Sequence, residues 1–545
     1  MTRDRHAMAA LAAFTVALWG GSVRNGFVYD DLVNVVGNRW IVDWGGLGRA
    51  FVEHAAGFDP RYRTSFYRPL MHVLYAAVHG LAGLRSWAYH ALNVLLHVAA
   101  VLLVYALTRA LLERYGEPDR HRWLPLLAAL VFCVHPVHSE PVLWVAGITD
   151  LSFTMFGLAA LLAYVRGRAA LSGALLLASL LCKETGVVVF GLMVLLEWRG
   201  PGERSVRRLV PGLAAVALYA AMRWNALGSF APSAQEHARP AGELAVTALS
   251  LLARYLGLLA APVRLNVLRS VPAHDGTAAV MGIVLLAALL GLGLSWRRRP
   301  LRLLALAVAV LPILPVLYVP GIESGQSVFG ERYLYLPVLG VAWAAAWILE
   351  DWRRRSGRRR VLPLAVASAL VLACSGAVLA RIPAWKDSLS LWSDTVSKSP
   401  DSAAAHANLC FALYTAGRVE ASLAACERAL ELEPARLDAR INHATALLAM
   451  GRPSEAKAEL DGLDVSQALV QRGLACMMLG LHGEALASYA RALALDADSV
   501  EAHNDLGVAL VRLGRPAEAL PHLERAVALR PEQAEYRANL HACPR

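Results

Sequence analysis

Two adjacent carboxylates, Asp30 and Asp31, stand in "NGFVYDDLVNVVGN", directly after the first apolar run of the chain. Neighbouring acids repel, so one of them is expected to hold its proton above the usual carboxylate range. A carboxylate of that kind can act as general base toward a hydroxyl nucleophile. The plainer reading is two solvated loop acids, and the pair alone does not choose between them. Other titratable residues sit in short motifs: Arg68 in "YRPL", His135, His138, Glu140 and Asp150 in "HPVHSEPVLWVAGITD", Lys183 and Glu184 in "LLCKE", and Glu331 and Arg332 in "GERYLYLP". A further motif, "YHALNVLLH", runs from Tyr89 to His97. Each lies at the edge of an apolar run, where a charge is costly and usually marks function. His135, His138 and Glu140 prompt a metal test, because zinc takes such ligands in regular geometry. Pro136 and Pro141 break the helix and no fourth ligand is evident. Hydrogen-bonded histidines are therefore expected and no metal site, while a divalent-metal requirement stays open.

The elements that must position these groups are membrane helices. The chain of 545 residues is 57% hydrophobic and 17% charged, against about 25% charged in soluble proteins. The apolar excess is confined to residues 1–382. A span needs about 20 apolar residues, and eleven are predicted: 7–24, 87–112, 123–142, 150–166, 169–182, 185–198, 207–223, 278–296, 301–318, 331–350 and 361–381. Residues 69–84 and 244–262 are read as helices lying in the outer interface or dipping in and out, although counting both as spans gives thirteen and the same ends. The net charge of +11 resides largely in arginine runs between spans, Arg297-Arg298-Arg299, Arg353-Arg354-Arg355 and Arg358-Arg359-Arg360. That is the distribution of inner loops, and no motif supports nucleic-acid binding. The N-terminus is then cytoplasmic, the first run is an uncleaved span rather than a signal peptide, and everything after 382 is extracytoplasmic. Under this topology the motif residues all fall at the outer face, where they are expected to share one cavity.

After a connector, 383–402, the chain repeats itself. Gly417 and Gly451 are spaced like Gly480 and Gly514, and small residues recur with a closing Pro531. Four tetratricopeptide repeats are predicted, 403–436, 437–465, 466–499 and 500–533, the second shortened, with a terminal cap or tail at 534–545. Such repeats stack into a solenoid with a concave groove, suited to a peptide or protein partner; a merely rigidifying or dimerising role is the alternative. Among seven cysteines, none has zinc spacing. Cys133, Cys182 and Cys374 lie in apolar runs, and Cys410 and Cys426 fall on the two helices of one repeat, where a disulfide is possible.

The order of these motifs, from the paired acids through "YRPL", "NVLLH", "HPVHSE", "LCKE" and "ERYLYLP" to terminal repeats, resembles the transmembrane and tetratricopeptide-repeat O-mannosyltransferases. The resemblance covers essentially the whole chain; it rests on order and spacing rather than on any single motif. It implies an all-α chain: a polytopic domain of C-type glycosyltransferase fold with about eleven spans, followed by a tetratricopeptide-repeat α-solenoid. It implies an external active site that takes a polyprenyl-phosphate-linked sugar, mannose or another hexose, and transfers it with inversion to Ser or Thr of an exported protein or peptide. Asp30 or Asp31 would be the base. Arg332, then Lys183 and Arg68, would hold the donor phosphate, since a fixed cation stabilises the leaving group; the alternative for Arg332 is an ion pair with Glu331 or another intramembrane acid. Glu140 and Asp150 would orient the acceptor or hold the basic groups, with His135, His138, Glu184 and Glu331 in support. Apart from the open metal question, no cofactor is implied. The repeat domain is shorter than in animal members and the composition looks bacterial, which places the chain in a bacterial inner membrane. The readings set against this are a glycosyltransferase for an envelope glycan or lipid, a non-catalytic membrane scaffold with a repeat arm, and a transporter. A transporter would tend to show internal repeats and broken midplane helices, and neither is clear in the sequence.

Overall fold

The computed structural model describes residues 2–42, 44–59, 64–115, 123–201, 204–229, 240–269, 275–317, 329–356, 361–531 and 533–544. Among these residues every regular element is helical. The chain divides into two compact units, Met1–Leu391 and Trp392–Arg545.

Among the described residues of the first unit, seven helices are long and apolar enough to cross a membrane: Asp4–Arg24, Ser86–Arg114, Val145–Val165, Gly242–Ala260, Gly276–Ser295, Pro300–Leu317 and Val361–Trp385. A bent pair, Leu124–Val134 with Pro136–Leu143, makes eight if it is one span. This is a multi-pass membrane architecture. Gly242–Ala260, which the sequence reading lays in the interface, has the length and composition of a span. The expected spans 169–182 and 185–198 are the short helices Ala169–Cys182 and Val187–Arg199. The arginine run Arg358-Arg359-Arg360 lies outside the described residues.

The helices break where the motifs fall, and the breaks have local causes. His135 is extended (φ −65°, ψ 120°) before Pro136, because a residue preceding proline is pushed out of the helical region and proline offers no N–H to continue the ladder. The two halves meet at 50°. Arg68 precedes Pro69, which starts the helix Pro69–Ala82. Lys183 is extended (φ −160°, ψ 135°) between Cys182 and a short 3₁₀ turn, Glu184–Gly186. Glu331 and Arg332 begin a 3₁₀ turn, Glu331–Leu334, ahead of the helix Val338–Arg355. The long connection after Asp4–Arg24 is itself folded: Trp40, Ala50, Ala56 and Phe58 form a small core, and His72 ties it down through Asn38 at 3.0 Å and the Ala55 carbonyl at 3.0 Å.

The second unit is a succession of paired helices. Gly417, Gly451, Gly480 and Gly514 take φ between +71° and +74° at the turns within the pairs, a conformation that costs any residue with a Cβ. Pro453–Leu460 has 8 residues where its counterpart Val419–Leu432 has 14, which accounts for the shortened second repeat. A disulfide joins Cys410 and Cys426 across the first pair. The remaining cysteines are free.

Candidate functional site

The motif residues converge at the helix breaks. A cavity of about 300 Å³ is lined by Asp30, Asn34, Arg68, Asp150, Lys183 and Arg332, together with Trp144 and Tyr333. These residues come from widely separated parts of the chain, so only the packing of the helices creates the site.

Asp30 and Asp31 differ sharply in surroundings. Asp31 is fully buried (0% exposed). Its Oδ2 accepts from the Val28 N–H at 3.0 Å and its Oδ1 from the Ala146 N–H at 2.7 Å. Its own N–H returns a bond to the Val28 carbonyl at 3.1 Å. Asp31 therefore closes its own turn and clamps it to the break between Leu143 and Ile148. Burial pushes the Asp31 carboxyl up to about 8, with Asp30 adding to the effect and the backbone bonds opposing it. Asp30 lines the cavity. Burial raises it to about 6, and the Arg332 charge pulls it back. Two acids whose surroundings set their proton affinities apart are the signature of divided roles. Tyr29, between Val28 and Asp30, has φ +54°, a strained left-handed value for a side chain of this size; its ring stacks on Trp144 at 5.7 Å.

Three cations face the cavity, each held by one carboxylate. Arg68 grips Glu184 through two bonds of 2.6 and 3.1 Å. Lys183 Nζ lies 2.6 Å from Asp150 Oδ1. Arg332 Nη1 lies 2.6 Å from Glu140 Oε1, and the Arg332 backbone N–H donates to Glu140 Oε2 at 3.1 Å. Aromatic rings flank the charges: Arg332 lies over Trp144 and Tyr333, Lys183 over Tyr333, and Arg68 over Phe66. Burial alone would raise the Glu184 carboxyl, but the Arg68 guanidinium and Lys183 more than offset it, holding it at about 2. The pocket thus offers preorganised positive charge beside one carboxylate that stands outside these ion pairs.

Other expected members of the cavity lie elsewhere. Glu140 and Glu184 sit behind the guanidinium groups they hold. His135 Nε2 faces the Leu259 carbonyl at 3.3 Å. The His138 ring packs between Phe132 at 4.6 Å and Tyr335 at 4.5 Å. Glu331 turns away from Arg332 to accept from the Asn266 N–H at 2.6 Å and from Arg269 at 3.0 Å. The physical reason is the turn itself: successive residues of a 3₁₀ turn point in different directions, so Glu331 and Arg332 cannot both face the cavity. Among the described residues no group of three or more His, Cys, Asp and Glu is arranged to hold a metal ion.

The sequence reading passed over Asn34, Trp144, Tyr333 and Asn93. Trp144 and Tyr333 lie inside quoted motifs, and their aromatic character beside charged residues was the available signal. Asn93 explains the "YHALNVLLH" motif. Its Nδ2 donates to the Trp144 carbonyl at 2.7 Å, which also accepts from the Gly147 N–H at 3.1 Å, so Asn93 braces the break. His97 likewise meets the Tyr335 hydroxyl at 2.7 Å.

Tetratricopeptide-repeat family models match residues 416–469 and 464–532. Protein O-mannosyl-transferase TMTC3 of Mus musculus is 23% identical over 505 residues, covering 82% of this chain and 53% of that protein. Protein O-mannosyl-transferase TMTC1 of Mus musculus is 30% identical over 229 residues, covering 36% of this chain and 23% of that protein. The chain thus spans about half the length, or less, of the curated relatives it matches. Among solved structures, a thermophilic tetratricopeptide-repeat protein of Thermus thermophilus matches with a TM-score of 0.27 at 21% identity, covering 32% of this chain and 93% of that one.

Proposed function

We propose that this relative of the protein O-mannosyl-transferases is a membrane glycosyltransferase that moves a hexose from a polyprenyl-phosphate carrier to Ser or Thr hydroxyls of exported proteins. The observation that carries the reading is the shared cavity, in which Asp30 stands with Arg68, Lys183 and Arg332. Mannose is the sugar suggested by the names of the relatives.

Asp30 takes the proton of the acceptor hydroxyl as its oxygen attacks the anomeric carbon. The bond from that carbon to the phosphate oxygen breaks, and the electron pair leaves with the polyprenyl phosphate. Attack from the face opposite the leaving group inverts the configuration. Negative charge grows on the phosphate, and cations fixed before the reaction stabilise it without reorganising. Arg332 is the foremost of these, because Glu140 fixes both its backbone and its guanidinium; Lys183 and Arg68 complete the set. Asp31 positions Asp30 rather than meeting substrate. Asp150, Glu140 and Glu184 orient the cations, and His135, His138 and Glu331 support the surrounding helices.

In this reading the site opens to the extracytoplasmic face of a bacterial inner membrane, with eleven spans and a cytoplasmic N-terminus. The domains run 1–382 for the enzyme, 383–402 for the connector, 403–533 for the repeats and 534–545 for the tail. The Cys410–Cys426 disulfide suits an oxidising, extracytoplasmic compartment. The repeats recruit the acceptor and so raise its effective concentration.

The test is transfer by purified protein from a polyprenyl-phosphate hexose to a Ser/Thr peptide. Asp30→Asn is expected to lower turnover by about 10²-fold or more, the usual contribution of a general base, while the folded protein is retained. Turnover of Asp30→Asn at the wild-type rate would end the assignment.

A further inference from the structure

A second polar cavity, also of about 300 Å³, is lined by Tyr115, Arg298, Arg299, Leu301, Arg302 and Trp347. Tyr115 caps the C-terminus of the helix Ser86–Arg114. Asn93, which braces the break beside the first cavity, lies about 33 Å back along that helix at 1.5 Å per residue. This distance matches the thickness of a bilayer core, about 30 Å. The second cavity is therefore at the opposite membrane face from the candidate active site, and it is independent of the glycosyl-transfer reading.

Its electrostatics are unbalanced. The helix Pro300–Val310 begins here with Pro300, which has no N–H, and the N-cap residue Arg299 makes no side-chain cap. The Leu303 N–H bonds back to the Arg299 carbonyl, leaving the Leu301 and Arg302 N–H groups in the first turn, where no helical acceptor exists. The start of a helix is its positive end and favours an acidic or neutral cap. Here three arginines crowd it instead. Arg302 finds Asp351 at 3.6 Å. Arg298 and Arg299 are exposed and make no side-chain ion pair among the described residues. Three arginines and a helix start around one cavity are complementary to a phosphate.

The surroundings point to a phosphate carried on a lipid. Trp347 and Tyr115 are residue types that favour the membrane–water interface. The preceding helix, Gly276–Ser295, is only 11% buried over its apolar window, and Leu290 and Leu294 near its end are exposed, so a surface for acyl chains adjoins the cationic cavity. We infer that the Arg298–Arg299–Arg302 cavity binds the phosphate headgroup of an anionic membrane lipid.

The experiment is native mass spectrometry of the full chain in detergent, titrated with phosphatidylglycerol or phosphatidylcholine. Wild type is expected to prefer phosphatidylglycerol by about tenfold or more, from the attraction of clustered basic residues for an anionic lipid. The double variant Arg298→Gln/Arg299→Gln, and Arg302→Gln separately, should lose that preference. Arg166→Gln/Arg168→Gln removes the same charge from exposed positions outside the cavity and should keep it. Equal preference in wild type and Arg298→Gln/Arg299→Gln, or loss in the control alone, would overturn the site. Millimolar inorganic phosphate is the last arm: retention of the lipid supports the headgroup assignment, and displacement overturns it in favour of a soluble phosphate.

Discussion

Asp30 and Asp31 are neighbours in the chain, yet burial and hydrogen bonding give them separate surroundings. Asp31 commits both carboxyl oxygens to the Val28 and Ala146 amides. Asparagine in its place would set an NH₂ group against one of those N–H donors. Asp31→Asn is therefore expected to cost about 1–3 kcal/mol of stability, the usual penalty for a buried donor left unsatisfied, measured as earlier thermal unfolding in detergent. Asp30→Asn removes no such bond and should leave the unfolding temperature close to wild type while turnover collapses. The pH profile separates the two further. Asp30 must be ionised to act as base, and burial raises it to about 6. Activity is then present above that value and falls with decreasing pH through it, so kcat/KM measured between pH 5 and about 8 should drop on the acid side with unit slope. A flat profile over that range would exclude Asp30 as the titrating base.

The elements matter through their interruptions. An unbroken span would carry its polar residues around the helix every 3.6 positions; a break can turn several of them toward one cavity. The segment from His135 to Asp150 is the clearest case: it passes from helix to extended residue, 3₁₀ turn, short helix, second 3₁₀ turn and helix again. Gly147 makes this folding-back possible. A Cβ there would lie 2.4 Å from the Pro141 carbonyl oxygen and 2.7 Å from its Cα. Gly147→Ala must push apart the backbone that presents the Ala146 N–H to Asp31. It is expected to destabilise the membrane unit by about 1–3 kcal/mol and to lower turnover, both read on the same purified variant; wild-type stability would show that the break does not depend on this contact.

For the whole molecule, the two compact units predict separable functions. Under the proposed function, chemistry resides in the membrane unit and recruitment in the repeats. Deleting residues 403–545 should spare transfer to a short peptide supplied at high concentration, and weaken transfer to a folded protein acceptor by about 10²-fold, the scale of lost effective concentration. Equal loss toward both acceptors would mean that the repeats are needed for the enzyme's integrity rather than for delivery. Deletion is a clean instrument here because the repeat unit has its own apolar core, including Tyr489, Leu506 and Leu523.

By itself the sequence determined the helical class, the wealth of membrane spans and the terminal repeats, because these are written in local terms: long apolar runs, and glycines and small residues at a fixed period. It also marked the charged residues as exceptional, since a charge at the edge of an apolar run stands out without any knowledge of its neighbours. Only the tertiary structure decided who meets whom. Arg332 pairs with Glu140, distant in the chain, and not with adjacent Glu331. Arg68 and Lys183 find their carboxylates the same way, and the paired acids divide into one facing the cavity and one buried. Pro136 announces its kink locally, but where the bent chain is carried depends on neighbouring helices that satisfy the exposed backbone. Such contacts are non-local, and no periodicity records them.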